Sequence, residues 1–373
     1  MKIVVDAITL LLPSAGVKTY LHYWLLSLQR EARKCGDVVG TYPWRIVVPV
    51  LPDHEHSVES NQATARRLRL IHFANVRLNP LINLLAAGAD VFHCSQHTAN
   101  LPLRKTITAT IFDFSCWRTP EHHMIANIEA SRRYGERILK RSSGLIAISH
   151  HSSKDAVEIL GIPETRIRVI YPGVSEAFFN VGPGCANSIR GHYKLDAPYI
   201  LFVGCIEPRK NIPTLIRAYL RTKEALRREV QLVVAGPFGW ESEQVRTMLA
   251  QSGANVRYIG YVPEANLPGL VRGALALVYP SFYEGFGLPV AQAMAAGIPV
   301  IASNRACLPE VVGDGGMLID PDSTEDLTAS IERLCACPSF ADELGARGKI
   351  HAQRFKWPAR AAESLRFFHE VHG

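Results

Sequence analysis

Short apolar runs of Val, Ile and Leu alternate with longer segments of helical period along the whole chain, and this alternation limits the fold more than any other feature. In the first half the runs lie at 2–7, 45–50, 90–94, 106–112, 144–148 and 167–171. In the second half they lie at 199–203, 230–235, 256–259, 275–279, 299–302 and 317–319. Continuous apolar strands set between helices predict parallel sheets covered on both faces. Polar segments with helical spacing, such as 211–226, 240–252 and 264–272, supply the covering helices. A chain of 373 residues exceeds one ordinary core and suits two domains. The stretch Asn180-Val-Gly-Pro-Gly-Cys-Ala-Asn-Ser188 is rich in Gly, Pro and small polar residues and reads as a linker. The expectation is an α/β chain of two doubly wound domains, at 1–180 and 198–355, joined by a linker over 181–197. A last helix at 356–373 follows the Pro after Trp357, and a path back to the first domain is open to it. In open sheets of this kind ligands bind beyond the carboxyl ends of the strands, so a cleft between two facing domains is the expected site.

Composition narrows the class. Hydrophobic residues make up 47% and charged residues 20%, as in soluble globular proteins. The apolar runs are strand length, short of the 18 or so residues of a membrane span. Met1-Lys2 leads straight into Ile3-Val4-Val5-Asp6, a first strand rather than a secretory leader, so a cytoplasmic protein is expected. None of the eight cysteines forms a Cys-x-x-Cys pair, which argues against zinc or thiol redox chemistry and for reduced, mostly buried thiols. Most of the net charge of +7 sits in the first half, where 21 Lys/Arg against 15 Asp/Glu give +6. Such a surface suits anionic lipid or a phosphorylated acceptor, although solubility alone explains it as well. Nothing points to nucleic acid.

Two strand-to-helix loops carry the chemistry. In Val203-Gly-Cys-Ile-Glu-Pro-Arg-Lys-Asn-Ile212, Arg209 and Lys210 precede a helix that Asn211 is placed to cap. Two cations beside a helix N-terminus suit a phosphate or diphosphate. In Tyr283-Glu-Gly-Phe-Gly-Leu-Pro-Val-Ala-Gln292, Gly285 and Gly287 let the backbone approach a ligand, and Pro289 suits a first helical turn. Glu284 would repel a phosphate there. It fits better as an acceptor for sugar hydroxyls or as a partner for Lys or Arg. Gln292, two turns into the helix, can bond a hydroxyl with either end of its amide.

Taken in order, several motifs resemble the family 4 glycosyltransferases of the GT-B fold. They are Val203-Gly-x-x-x-x-Arg-Lys-Asn, Ala235-Gly-Pro, Gly260-Tyr-Val, Pro280-Ser-x-x-Glu-Gly-Phe-Gly-Leu-Pro, Gly297-x-Pro-Val-Ile-Ala-Ser-Asn304 and Leu308-Pro-Glu-Val-Val-Gly-Asp-Gly-Gly316. Asp113, Ile148-Ser149 and Val169-Ile-Tyr-Pro-Gly-Val174 extend the match through the first half. The nearest flavour is of bacterial mannosyltransferases that build O-antigen and other polysaccharides. The resemblance implies two Rossmann-like domains facing across a cleft, the first binding acceptor and the second the nucleotide sugar. It implies a retaining transfer from a nucleoside-diphosphate sugar, without metal or other cofactor. Arg209 and Lys210 match the basic pair on the donor diphosphate. Glu284 matches the first residue of the family's Glu-x7-Glu motif, near the donor sugar hydroxyls. Gly204 belongs to the donor loop, and the backbone from Gly285 through Phe286 and Gly287 to Leu288 lies by sugar and phosphates. Val262 matches a main-chain contact to the nucleobase, and Gly16 matches the glycine loop of the first domain.

There are two departures. Gln292 stands where the second Glu holds the ribose, which turns a charge-assisted bond into a neutral one. Phe112-Asp113 stands where many relatives have His-Asp, leaving His93, His97, His122 and His123 as substitutes by proximity in sequence. Asp113 is the candidate for positioning the acceptor hydroxyl, beside a reading as a structural Asp at a strand end. No pair of carboxylates suggests a double displacement, which favours front-face substitution. Asp320-Pro-Asp322 looks like a metal motif but precedes a helix start and reads as a turn and cap. The apolar helix from Thr19 to Leu28 reads as core; the basic and apolar mixture from Ala65 to Phe73 is the better candidate for a membrane surface, although a solvated face with ordinary core contacts is the preferred reading. The expectation is a cytoplasmic mannosyltransferase using a guanosine-diphosphate sugar, peripheral on the inner face of the membrane, with a saccharide or lipid-linked acceptor. A uridine-diphosphate sugar and a non-catalytic sugar-nucleotide-binding subunit stay open, whereas a sugar-nucleotide epimerase is disfavoured because the acceptor-side loops match transferases.

Overall fold

The computed structural model describes residues 1–11, 16–42, 86, 88–96, 98, 101–103 and 105–373. The run at 45–50, His97 and the basic segment at 65–73 lie outside these. The chain forms two compact units, one of 1–118, 125–173 and 357–373, the other of 119–124 and 174–356.

Among the described residues the first unit has six parallel strands, β1 (Lys2–Asp6), β2 (Val38–Tyr42), β3 (Val91–Cys94), β4 (Thr106–Ile111), β5 (Gly144–Ala147) and β6 (Ile167–Val169). Their order is β2-β1-β3-β4-β5-β6. β3 and β5 are buried along their whole length, as strands covered on both faces must be. The helix Gly16–Cys35 lays Tyr20, Leu21, Trp24, Leu25 and Leu28 into the core, so its apolar stretch is interior. The C-terminal helix Trp357–His372 packs against it, and Trp24 Nε1 donates to Ser364 Oγ at 3.0 Å. Two glycines make room for this helix. A Cβ on Gly144 would come within 2.5 Å of Val371, and one on Gly173 within 2.2 Å of the Trp357 ring. β2 escapes the search for apolar runs because it is an edge strand of mixed exposure, with a glycine at its centre.

The second unit has strands β7 (Tyr199–Val203), β8 (Gln231–Ala235), β9 (Val256–Gly260), β10 (Ala276–Tyr279), β11 (Val300–Ser303) and β12 (Gly316–Ile319). They are parallel, in the order β12-β11-β10-β7-β8-β9. The chain therefore starts in the middle at β7, winds out to β9, returns to β10 and winds out the other way. This is the doubly wound dinucleotide-binding order, and its switch point falls between β7 and β10. The carboxyl ends of those two strands are where a ligand crevice opens.

The linker reading of 181–197 is corrected. Pro183–His192 is a helix with Pro in its first turn, packed on the helix Leu267–Arg272. Its small residues, read as flexible, serve close approach: a Cβ on Gly269 would meet Ile189 at 2.6 Å. The boundary of the first domain also moves, because the chain leaves the first unit after Gly173 rather than at 180. Val174 N–H donates to the Phe355 carbonyl at 2.7 Å, tying 174 to the second unit. The cysteines are less buried than expected. Cys94, Cys116 and Cys307 are buried, while Cys35, Cys185 and Cys337 are exposed. Among the described residues no helix is long and apolar enough to cross a membrane.

Candidate active site

Two loops meet at the switch point. After β7 the chain makes a turn at Pro208–Lys210, and Asn211 takes a left-handed conformation with φ 55° before the helix Ile212–Arg221. After β10 the loop ends at Gly287, φ 84°, before the helix Leu288–Ala295. The glycine is required there twice over, since a Cβ would be strained at that φ and would lie 2.7 Å from Leu308.

Asn211 does not cap its helix with its side chain, contrary to the sequence reading. In the left-handed conformation its amide turns away and donates to the carbonyls of Pro280, at 3.2 Å, and Pro321, at 2.7 Å. Phe282 N–H donates to the Arg209 carbonyl at 2.9 Å. The bonds to Pro280 and from Phe282 stitch the β7 loop to the β10 loop, and the bond to Pro321 ties it to the loop after β12.

The result is a buried ionic cluster. Lys210 Nζ lies 2.6 Å from Glu284 Oε1 and donates to the Tyr279 hydroxyl at 2.9 Å. Arg209 holds Glu284 Oε2 at 3.1 Å with one guanidinium nitrogen and Glu207 Oε1 at 2.6 Å with the other. It also donates to the Tyr283 carbonyl at 2.6 Å. Lys210 and Glu284 are 7% and 6% exposed, so each charge depends on its partners. Burial alone would push the Glu284 carboxyl up, but Lys210 and Arg209 outweigh it and hold the group down at about 2. Burial and Arg209 would push the Lys210 ammonium down, but Glu284, Tyr279 and Glu207 prevail and raise it. Of the two roles left open for Glu284, the partner of Lys and Arg is the one seen. Glu207 and Tyr279 were missed in the sequence, although Glu207 stands two residues before Arg209 and Tyr279 ends an apolar strand.

The remaining candidates fall around this core. Gly204 ends β7, with its carbonyl 1.9 Å from where a Cβ on Gly236 would sit, so the two loop starts touch through backbone. Gly285, Phe286, Gly287 and Leu288 form the entry to the helix, and the Phe286 ring packs edge-on against Phe355 at 5.2 Å. Gln292 is buried two turns in, and its side-chain amide makes no hydrogen bond among the described residues. Val262 is buried in the loop after β9. Two candidates belong to the first unit. Gly16 opens the helix Gly16–Cys35 and is exposed. Asp113 is half-buried, and its Oδ1 accepts from the N–H and hydroxyl of Ser115, at 3.0 and 2.7 Å.

The histidines separate. His93 cannot substitute for a site histidine: it is buried between Thr108 and Thr110, bonding each hydroxyl at 2.9 Å, and burial lowers it to about 3. His122 stacks on Phe282 at 5.2 Å within the second unit, and its carbonyl accepts from Trp240 Nε1 at 2.9 Å. His123 lies against the Trp240 ring at 5.8 Å. Asp320 and Asp322 pair with Arg305, and Ser323 caps the following helix through the Asp326 N–H at 3.0 Å.

Known proteins resemble this chain in sequence and fold. The family described as glycosyl transferases group 1 matches residues 188–351, which include both loops of the site. The O-antigen chain mannosyltransferase B of Escherichia coli is 34% identical over 259 residues, 68% of each chain. The serotype-specific mannosyltransferase WbdA of Escherichia coli is 30% identical over 224 residues, 58% of this chain and 28% of that protein. Among solved structures, Anabaena HepE in complex with UDP and glucose superposes with a TM-score of 0.74 at 17% identity, covering 99% of this chain and 100% of that one, a likeness of fold. The chain belongs to the group 1 glycosyl transferases and is built on the GT-B fold.

Proposed function

We propose that the protein is a retaining mannosyltransferase that moves mannose from GDP-mannose to a saccharide or lipid-linked acceptor during polysaccharide assembly. The observation that carries this reading is the Lys210–Arg209–Glu284 cluster, set at the β7/β10 switch point beside the N-terminus of the helix Leu288–Ala295. The leaving group of such a transfer is a diphosphate, and negative charge grows on it as the glycosidic bond breaks. Preorganised cations and helix N–H groups aimed at that charge are the largest single source of acceleration available here. Glu284 holds the two cations in place before the donor arrives. The same cations supply the positive charge that a metal would otherwise bring, so the transfer is proposed to need none.

The nearby carboxylates bear on the route a retaining transfer would take. Glu207 and Glu284 are each bound to Arg209, and neither stands as a free nucleophile for a double displacement. In the front-face route the acceptor oxygen bonds to the anomeric carbon on the side from which the diphosphate leaves. The departing phosphate oxygen takes the acceptor proton, so no separate base is needed. Gln292 is proposed to meet the ribose, Val262 the nucleobase and the backbone of Gly204 and Gly285 to Leu288 the sugar and phosphates. In the first unit, Gly16 is proposed at the diphosphate and Asp113 at the acceptor hydroxyl. The relatives named as mannosyltransferases support mannose. A uridine-diphosphate sugar is the second reading, because the neighbour of like fold holds UDP and glucose. The work is proposed to take place at the cytoplasmic face of the membrane.

The test is a melting-temperature screen with GDP, UDP, ADP and TDP, followed by transfer from radiolabelled donors to lipid-linked acceptors. A ligand that binds only the folded state raises the melting point. GDP should give the largest rise and GDP-mannose should be consumed. Binding with neither transfer nor donor hydrolysis would reduce the protein to a sugar-nucleotide-binding subunit.

A further inference from the structure

Beside the ionic cluster lies a cavity of about 340 Å³ that the chemistry above does not use. Sites for small molecules run from about 300 to 1,000 Å³, so it is large enough to hold one. Its wall includes Glu207, Arg217, Glu241, Ser242, Gln244 and Phe282, all within the second unit. They come from the β7 loop and the helix that follows it, from the start of the helix Glu243–Gln251, and from the β10 loop.

Part of the wall is held in place, while Arg217, Glu241 and Gln244 reach it from the exposed surface. Phe282 is stacked on His122 at an interplanar angle of 13°, and its N–H is fixed on Arg209. Glu241 has a φ of 49°, a conformation that a residue with a side chain rarely keeps unless its surroundings impose it. Charge decides what the cavity takes. Glu207 and Glu241 oppose a diphosphate, which belongs with Lys210 and Arg209. A neutral molecule dense in hydroxyls fits: the carboxylates accept from it, Arg217 and Gln244 donate to it, and the Phe282 ring packs against its C–H face. One guanidinium joins cavity to cluster, because Arg209 holds Glu207 with one nitrogen and Glu284 with another.

We propose that this cavity is a saccharide subsite for the acceptor chain, a proposal that rests on the transferase reading and extends it. The test uses Arg217→Leu and Gln244→Leu in the full chain, with an α-linked mannotriose as acceptor probe. Acceptor KM should rise at least tenfold in each, donor KM should stay within twofold, and a calorimetric titration with mannotriose should lose affinity to match. Unchanged melting temperatures establish that the variants are folded. Acceptor KM and mannotriose affinity unchanged in both variants would overturn the subsite, as would a rise in donor KM alone. If mannotriose binds in wild type and not in the variants, yet no donor supports transfer, the transferase reading falls and the subsite stands.

Discussion

Lys210 and Glu284 are 74 residues apart in the chain, and their side chains meet at 2.6 Å in the interior of the second unit. Each lies in one of the two loops that the strand order brings side by side at the switch point. Removing one partner therefore strands a buried charge. Lys210→Met should destabilise the protein by about 3 kcal/mol, because Glu284 loses one of the two cations that pair with it. The double variant with Glu284→Gln should regain most of that loss in urea unfolding. It should not regain transfer, which is expected to stay at least about 100-fold down, since the diphosphate loses a preorganised cation. Recovery of transfer with stability would show that the pair serves the fold alone.

The same pair sets an acid limit. The folded-state value for Glu284 is about 2, below its ordinary 4.5. A depressed carboxyl contributes stability that is fully present above the unfolded value and is lost as pH falls through the folded one. Wild type should lose this contribution between pH 4.5 and 2, and Glu284→Gln should show a flatter stability profile over that range.

Much of this site is legible in the sequence, and for a physical reason. Arg209, Lys210 and Glu284 sit in strand-to-helix loops, which the alternation of runs marks without knowing the sheet order. That all three would meet is not legible, because it depends on β10 pairing with β7 rather than with β9. Asn211 reads as a cap because Asn before a helix usually is one; only its left-handed backbone turns the amide to Pro280 and Pro321. His93 shows the opposite limit. Its place next to Cys94 in a buried strand was visible, but the paired hydroxyls of Thr108 and Thr110 come from the neighbouring strand. The helix at 183–192 was hidden by composition, since the Gly and small residues that mark a linker also let two helices pack closely.

Glu264 should be a stability liability at neutral pH. Burial raises its carboxyl to about 7, and among the described residues no hydrogen bond satisfies Oε1. For an acid raised on folding, the cost of holding it ionised is absent below the unfolded value, grows from 4.5 to 7 and is complete above. Glu264→Gln should therefore raise unfolding free energy at pH 8 by up to about 3 kcal/mol and leave it nearly unchanged at pH 4. Urea denaturation at the two pH values checks this, and an equal gain at both would mean that ionisation is not the cause.

Gly287→Ala should act on the donor and the fold together. The new methyl would be strained at φ 84° and would press on Leu308 at 2.7 Å, costing about 1 to 3 kcal/mol. Relief requires the entry to the helix Leu288–Ala295 to shift, which moves the N–H groups proposed to face the phosphates. Donor KM should rise while acceptor KM holds. The paired variant Gly253→Ala, also at positive φ but with open space around its Cβ, should lose stability without changing donor KM.

Gln292 offers the sharpest test of where the donor lies. It is buried on the helix that begins at the site, and its amide makes no hydrogen bond among the described residues. If it meets the ribose, Gln292→Glu replaces a neutral acceptor with a charged one, and a charge-assisted bond is about twice as strong. GDP affinity should then rise about threefold to tenfold at pH 8, where the carboxylate is ionised, and the gain should shrink towards pH 5 as burial keeps the new group protonated. Gln292→Leu, close in volume and without polar atoms, should weaken GDP about tenfold. Calorimetric titration of GDP into the three proteins reads both effects. If Gln292→Glu binds GDP far more weakly than wild type while melting normally, the ribose is elsewhere, and the carboxylate is instead repelling the phosphates proposed to lie at Arg209 and Lys210.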